Sequence, residues 1–130
     1  MLLRHYLVFH AFFWLYLLGC VSAPMPCKPL AGTWLNPDGF VFVFLPDSSA
    51  LWLTQFGNQY DTVRLRYALD CTQTPLALNL TGFQGGPHQG KTLHGILEWT
   101  SDSTFRFRYE LDTRPTVFDN EQTMKFVFTK

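Results

Sequence analysis

A two-residue alternation of apolar and polar side chains is the feature that most constrains how this chain can fold. Val63, Leu65, Tyr67 and Leu69 interleave with Arg64 and Arg66, and Phe105, Phe107 and Tyr109 interleave with Arg106, Arg108 and Glu110. A strand sends successive side chains to opposite faces, so each run reads as a strand with one buried face. Similar runs recur from Leu30 onward: residues 30–35, 40–45, 51–56, 63–70, 76–80, 92–99, 105–110 and 123–129. Turn residues separate them, among them Asn36-Pro37-Asp38-Gly39, Pro46-Asp47-Ser48-Ser49, Gly57-Asn58 and Ser101-Asp102-Ser103. Two longer breaks are the flexible glycine loop Gly82–Gly90 and the loop Thr113–Asn120 around Arg114-Pro115. No helical period extends beyond about two turns. Eight strands with one apolar face each, and no helix to cover them, predict an all-β fold. A small eight-stranded antiparallel up-and-down barrel buries every such face and leaves no open edge. A two-sheet sandwich is the alternative.

The first 23 residues follow a different rule. Tyr6–Leu18 is a 13-residue apolar run broken only by His10, and Arg4 precedes it. That length suits a secretory signal of about 7–15 apolar residues and falls short of the ~20 needed to span a bilayer. Val21-Ser22-Ala23 offers a small-residue cleavage site. Leu17-Leu18-Gly19-Cys20 resembles the lipobox of bacterial lipoproteins, in which the cysteine is diacylated and becomes the first residue. Three outcomes stay open: cleavage before Cys20 with lipidation, cleavage after Ala23, and an uncleaved anchor. The expected organisation is a signal at 1–23, a proline-rich linker at 24–29 and one domain at 30–130.

Removal of residues 1–23 from the 130 leaves 107, which suffices for one compact core. The whole chain carries 10 Lys+Arg against 10 Asp+Glu. Without Arg4 the balance becomes slightly acidic. Nucleic-acid binding, which needs a surplus of basic residues, is not expected. Cys27 and Cys71 remain as a pair once Cys20 is acylated or removed. In an oxidising compartment they are expected to form a disulfide contributing about 2–4 kcal/mol. Two free buried thiols are the alternative. His88 and His94 are the only histidines beyond the signal, and no CxxC or HxxxH spacing occurs, so no metal or cofactor is expected.

Gly32-Thr33-Trp34 resembles the G-x-W signature of the lipocalin superfamily, in which the tryptophan closes one end of the barrel. Further residues extend the likeness in order: Leu69-Asp70, Thr74-Pro75, Asn79-Leu80-Thr81, Gly90-Lys91-Thr92, Gly95-Ile96, Asp102, Arg114-Pro115-Thr116 and Phe118. This pattern looks like a bacterial family of uncharacterised lipocalin-like proteins. That family shares an opening G-T-W, a T-P-x-x-I-D-L-T strand, a G-K-T-x-x-G-I-Y strand and a late R-P-T-x-F loop. The likeness covers about residues 30–128. Asn79 stands where the family usually has Asp, and Leu97 where Tyr is common. The resemblance implies the barrel and brings no enzymatic activity with it.

The candidate site residues are aromatic. Trp34, Phe42, Phe44, Trp52, Tyr67, Phe107 and Tyr109 belong to the expected interior or its mouth, together with Phe105, Phe126 and Phe128. So many rings in 107 residues point to a filled or nearly filled barrel, with any cavity small. Arg114 has two readings. The resemblance implies packing on the Trp34 ring, a contact contributing about 0.5–2 kcal/mol; the other is an anion site at the barrel mouth. The outward arginines are expected to pair with Glu98, Glu110 or Asp70, and His94 to face solvent. Asn79-Leu80-Thr81 is a glycosylation sequon relevant only to a eukaryotic secretory route. No nucleophile–base–acid constellation accompanies His88 or His94, so no catalytic residue and no enzymatic function are expected. Two functions follow. One is an exported, lipid-anchored or secreted binding module of the bacterial cell envelope, holding a small apolar ligand in or at the mouth of the barrel. The other is an envelope interaction or inhibitor protein with a filled barrel. The chain is expected to be a monomer in the periplasm or outer membrane, touching the membrane only through a lipid anchor or an uncleaved signal.

Overall fold

The computed structural model describes residues 27–130. The signal segment, Cys20 and the start of the proline-rich linker lie outside them. The described chain is a closed barrel in which each of eight strands pairs antiparallel with the next, and the last with the first. The strands are β1 Gly32–Leu35, β2 Phe40–Phe44, β3 Ser49–Phe56, β4 Gln59–Asp70, β5 Leu76–Thr81, β6 Leu93–Ser101, β7 Thr104–Glu110 and β8 Met124–Thr129. Closure comes from Thr33, Trp34 and Leu35 opposite Thr129, Phe128 and Val127. The expected sandwich alternative is thereby excluded.

Many boundaries shift by one or two residues from expectation, and two of the differences have a clear physical reason. β1 starts at Gly32, because the carbonyl of Leu30 is turned to accept the Trp34 indole N–H at 2.9 Å. β4 starts at Gln59 rather than Val63, pairing with β3 as far as Phe56↔Gln59 around the Gly57-Asn58 turn. Backbone pairing there runs on beyond the buried part of the sheet, so the apolar pattern fades before the strand does.

The meander sorts its turns. The β1–β2, β3–β4, β5–β6 and β7–β8 connections share one end, here called the mouth; the other turns and the start of the described chain share the opposite end. The alternation holds. Phe42, Phe44, Phe105, Phe107 and Phe126 point inward and are sealed from solvent, as are Leu78, Leu80, Leu93 and Leu97. Phe42 and Phe126 lie 5.1 Å apart between ring centroids, and Phe105 stacks on Phe126 at the same distance. Gly95 makes room for this packing. A Cβ there would collide with the Phe107 ring and sit 2.8 Å from the Leu78 carbonyl oxygen.

Trp34 closes the end opposite the mouth. Its ring meets Trp99, Phe105 and Phe128 at 5.5, 4.7 and 5.2 Å. Gly32, at φ +138°, gives the first position of the G-x-W triplet a physical reason. A Cβ at Gly32 would lie 2.5 Å from the Phe128 ring. Phe128 shares the inner face yet sits at the rim, 40% exposed. Cys27 and Cys71 form a disulfide, with Cα atoms 5.8 Å apart. It fastens the incoming chain beneath this end. Beside it, Lys28 places its ammonium 4.2 Å from the centre of the Trp99 ring and donates to the Asp102 carbonyl at 2.8 Å.

Arg114 is not on the Trp34 ring. Its guanidinium donates to the Gly95 carbonyl at 2.6 Å and to the Asn79 side-chain oxygen at 2.5 Å. The cation at the closed end is Lys28 instead. Arg114 belongs to the 111–123 connection, which straps the outer face of β5, β6 and β7. Arg108 donates to the Val117 carbonyl at 2.7 Å and pairs with Glu110 and Asp119, while Arg106 lies 4.0 Å over the Phe118 ring and pairs with Glu98. This explains why Ala77 and Ile96, outward by alternation, are buried, along with Pro115. Arg64 and Arg66 form no ion pair among the described residues.

Gly95→Ala is expected to cost about 1–3 kcal/mol in urea denaturation, because the added methyl meets a ring and a backbone carbonyl. Arg114→Met is expected to cost about 1.5–3 kcal/mol through two lost charge-assisted hydrogen bonds. It should also open residues 111–123 to protease before the barrel unfolds; cleavage only on global unfolding would refute the strap.

Candidate functional site

Not all inward rings share one environment. Those midway along the barrel pack against one another, whereas those near the mouth border a cavity of about 300 Å³. That is the low end of the roughly 300–1,000 Å³ of small-molecule sites. β2 contributes Phe40, β3 contributes Trp52, β4 contributes Val63 and β7 contributes Tyr109. Thr54 and Asp61, opposite each other across β3 and β4, stand at the rim.

The glycine loop supplies the remaining wall. Its backbone is pinned to the barrel by the Gln84 N–H donating to the Arg64 carbonyl at 2.8 Å. Phe83 is buried and its ring lies 6.2 Å from that of Trp52. His88 lies over the opening. Its imidazole stacks on Trp52 at 5.5 Å with 23° between planes, and meets Tyr109 edge-on at 5.8 Å. Phe40 and Tyr109 also stand edge-on to Trp52, at 6.1 and 6.3 Å. The result is a box of aromatic rings around a half-buried imidazole.

Two polar atoms of this box lack partners. Trp52 Nε1 and His88 Nδ1 are buried and make no hydrogen bond among the described residues. An unpaired buried polar group is costly, about 1–3 kcal/mol, and a ligand bearing hydrogen-bonding atoms relieves it. Burial, and secondarily the charge of Lys91, holds the His88 pKa below its ordinary value, which favours the neutral ring. Burial likewise raises the Tyr109 hydroxyl pKa, so Tyr109 is a neutral phenol at physiological pH. The box can therefore accept a small flat or compact apolar molecule, with weak polar anchoring from an indole N–H, an imidazole and a phenol.

The sequence-derived candidates divide by depth. Trp52 and Tyr109 line the cavity. Phe42, Phe44 and Phe107 are sealed in the core, and Trp34 closes the far end. Tyr67 is also at the far end, where its hydroxyl donates to the Leu45 carbonyl at 2.7 Å. Arg114 lies outside the barrel, so it is neither a mouth anion site nor a cavity residue. Asn79 of the sequon is half-buried and engaged by Arg114. Phe40, Asp61 and Phe83 line the cavity and were not among the sequence-derived candidates; His88, weighed there only as a catalytic or metal-binding group, lines it as well. One signal was present for Asp61: the odd-numbered inward series of β4, extended two residues back from Val63, puts it on the same face. No protein-family model, no curated protein and no solved structure matches this chain.

The buried imidazole makes the mouth acid-sensitive. A free histidine takes up its proton as pH falls through about 6.5, whereas His88 in the closed loop resists until lower pH. Closure is therefore unpenalised above about pH 6.5 and weakened progressively below it. Amide exchange in residues 84–91, corrected for intrinsic rate, should accelerate from about pH 7.5 to about pH 5 relative to β6. His88→Phe should remove the effect. Equal loop protection at both pH values in the native chain would contradict this account.

Proposed function

We propose that the protein is an exported binding module, not an enzyme, that holds a small apolar ligand in the aromatic box at the barrel mouth. The observation that carries this reading is the contrast between a densely filled barrel centre and a cavity of about 300 Å³ at one end. Its walls are rings, and two of those rings, Trp52 and His88, hold unpaired buried nitrogens. The closed eight-stranded barrel supports a lipocalin-like reading of the fold. The Cys27–Cys71 disulfide supports an oxidising compartment, because such bonds persist outside the cytosol. Together with the apolar signal-like segment and the lipobox-like Cys20, this favours the bacterial cell envelope, with a lipid anchor at Cys20 or secretion after Ala23. The ligand is small: a long acyl chain does not fit behind Trp52, where Phe42 and Phe107 fill the interior.

A second reading, an envelope interaction protein, draws on a different observation. On the outer face Leu35 and Val127 are paired neighbours and remain 43% and 46% exposed. Next in register across β2 and β3 come Val41, which is buried, and Leu53, which is half-buried, so the exposed apolar patch is confined to Leu35 and Val127 with Leu53 at its edge. Such an apolar patch suits contact with another envelope protein.

The first reading predicts that 2-phenylethanol binds the full-length protein once, with dissociation constants in the range of roughly 10 μM to 1 mM. Calorimetry measures the stoichiometry, and the Trp52 indole proton resonance reports the place. Val63→Phe, which fills the cavity, should weaken binding at least about tenfold while leaving the melting temperature near that of the native protein. Binding that survives the filled cavity, or that leaves the Trp52 resonance unmoved, would locate the ligand elsewhere.

A further inference from the structure

We propose that the aromatic box at the barrel mouth selects an organic ammonium ion, an amine carried on a small apolar body, with Asp61 as its counter-charge. This rests on the ligand-binding reading above and names the chemical class of the ligand. Asp61 belongs to the polar start of β4. Strand alternation puts it on the same face of β4 as Val63 and Leu65, and it stays exposed where that face reaches the edge of the cavity. It lies opposite Thr54, at the rim of the cavity.

Charge then decides between ligand classes. With His88 neutral, Asp61 is, among the described residues, the only formally charged side chain lining the cavity. It makes no ion pair among the described residues. Lys91, whose charge reaches His88, is exposed and does not line the cavity. A carboxylate ligand would meet Asp61 as a like charge. A neutral ligand would gain at most a hydrogen bond from it, which an Asn in its place can also accept. An ammonium group gains twice: from the carboxylate at the rim and from the negative faces of Phe40, Trp52, Phe83 and Tyr109. Aromatic walls with one carboxylate attract such cations, and because this carboxylate is exposed its share of the attraction is sensitive to salt. His88 shows that the box takes a nitrogen-containing ring, since its imidazole already stacks on Trp52. The unpaired Nδ1 of His88 can accept a hydrogen bond from an ammonium N–H if the ring's proton is on Nε2.

Three probes of matched size separate the possibilities: 2-phenylethylammonium, 2-phenylethanol and phenylacetate, titrated into the full-length protein at about pH 7.5 and low salt. The ammonium ion is expected to bind about tenfold tighter than the alcohol, and phenylacetate weakest. Added salt should shrink the ammonium advantage, as screening of a rim charge requires. Asp61→Asn should bring ammonium and alcohol to within about twofold of each other without changing the alcohol's affinity, whereas Asp61→Glu should keep the preference. Salt dependence in the native protein tests the same charge without any substitution. If the alcohol or phenylacetate binds as tightly as the ammonium ion, or if Asp61→Asn keeps the preference, the amine assignment is overturned while the cavity reading stands. If none of the three binds, both are overturned.

Discussion

Pairing of Thr33, Trp34 and Leu35 with Thr129, Phe128 and Val127 joins the two ends of a meander into a continuous wall. Everything inside depends on it. Eight strands with one apolar face each have no helix to lean on, and an open sheet would leave those faces and two edges in water. Closure buries the faces against one another and satisfies the edge amides at once. It also fixes the size of the interior. An eight-stranded barrel has room for side chains or for one small guest, not for both along its full length. Here the phenylalanines of β2, β7 and β8 take the middle, and a cavity remains at the mouth, where β3 and β4 run on past them.

The two ends of the barrel use the same materials to opposite effect. At the closed end, Trp34 is satisfied: its indole N–H reaches the Leu30 carbonyl, and its faces are packed by Trp99, Phe105 and Phe128. A disulfide and the Lys28 ammonium hold the covering segment down. At the mouth, Trp52 has ring neighbours on a glycine-rich loop and an indole N–H with no partner. Covalent and hydrogen-bonded closure is durable. Closure by stacking on a loop held at few points can be undone locally, and sites that must admit a ligand are drawn from such low-stability regions.

Much of the fold was legible because a period of two states which way a side chain points. The eight runs and the cysteine pair follow from local pattern and chemistry, whereas the Trp34 closure was implied by the resemblance of Gly32-Thr33-Trp34 to the G-x-W signature. Period two is silent about depth. Phe42, Phe44, Trp52, Phe107 and Tyr109 all read as inward, yet only strand stagger decides that Trp52 and Tyr109 border the cavity while the others are sealed. Arg114 was misplaced for a related reason: a loop residue has no periodicity to say which surface it reaches, and it crosses to the outer face of β5 and β6. The Lys28–Trp99 and His88–Trp52 contacts were not foreseen because they join segments distant in sequence. The polar start of β4 was hidden because strand pairing there is made by backbone alone.

The disulfide has a directional consequence. Cys71 sits in the β4–β5 turn at the sealed end, and Cys27, where the described chain begins, is bonded to it. The described chain therefore begins at the pole opposite the cavity. A body gripped at that pole presents its opening outward, away from the thing that grips it. The covalent link also means that a pull on the preceding chain is borne by Cys71 and the β4–β5 turn, so the strain bypasses Trp34 and the short β1 pairing that closes the wall.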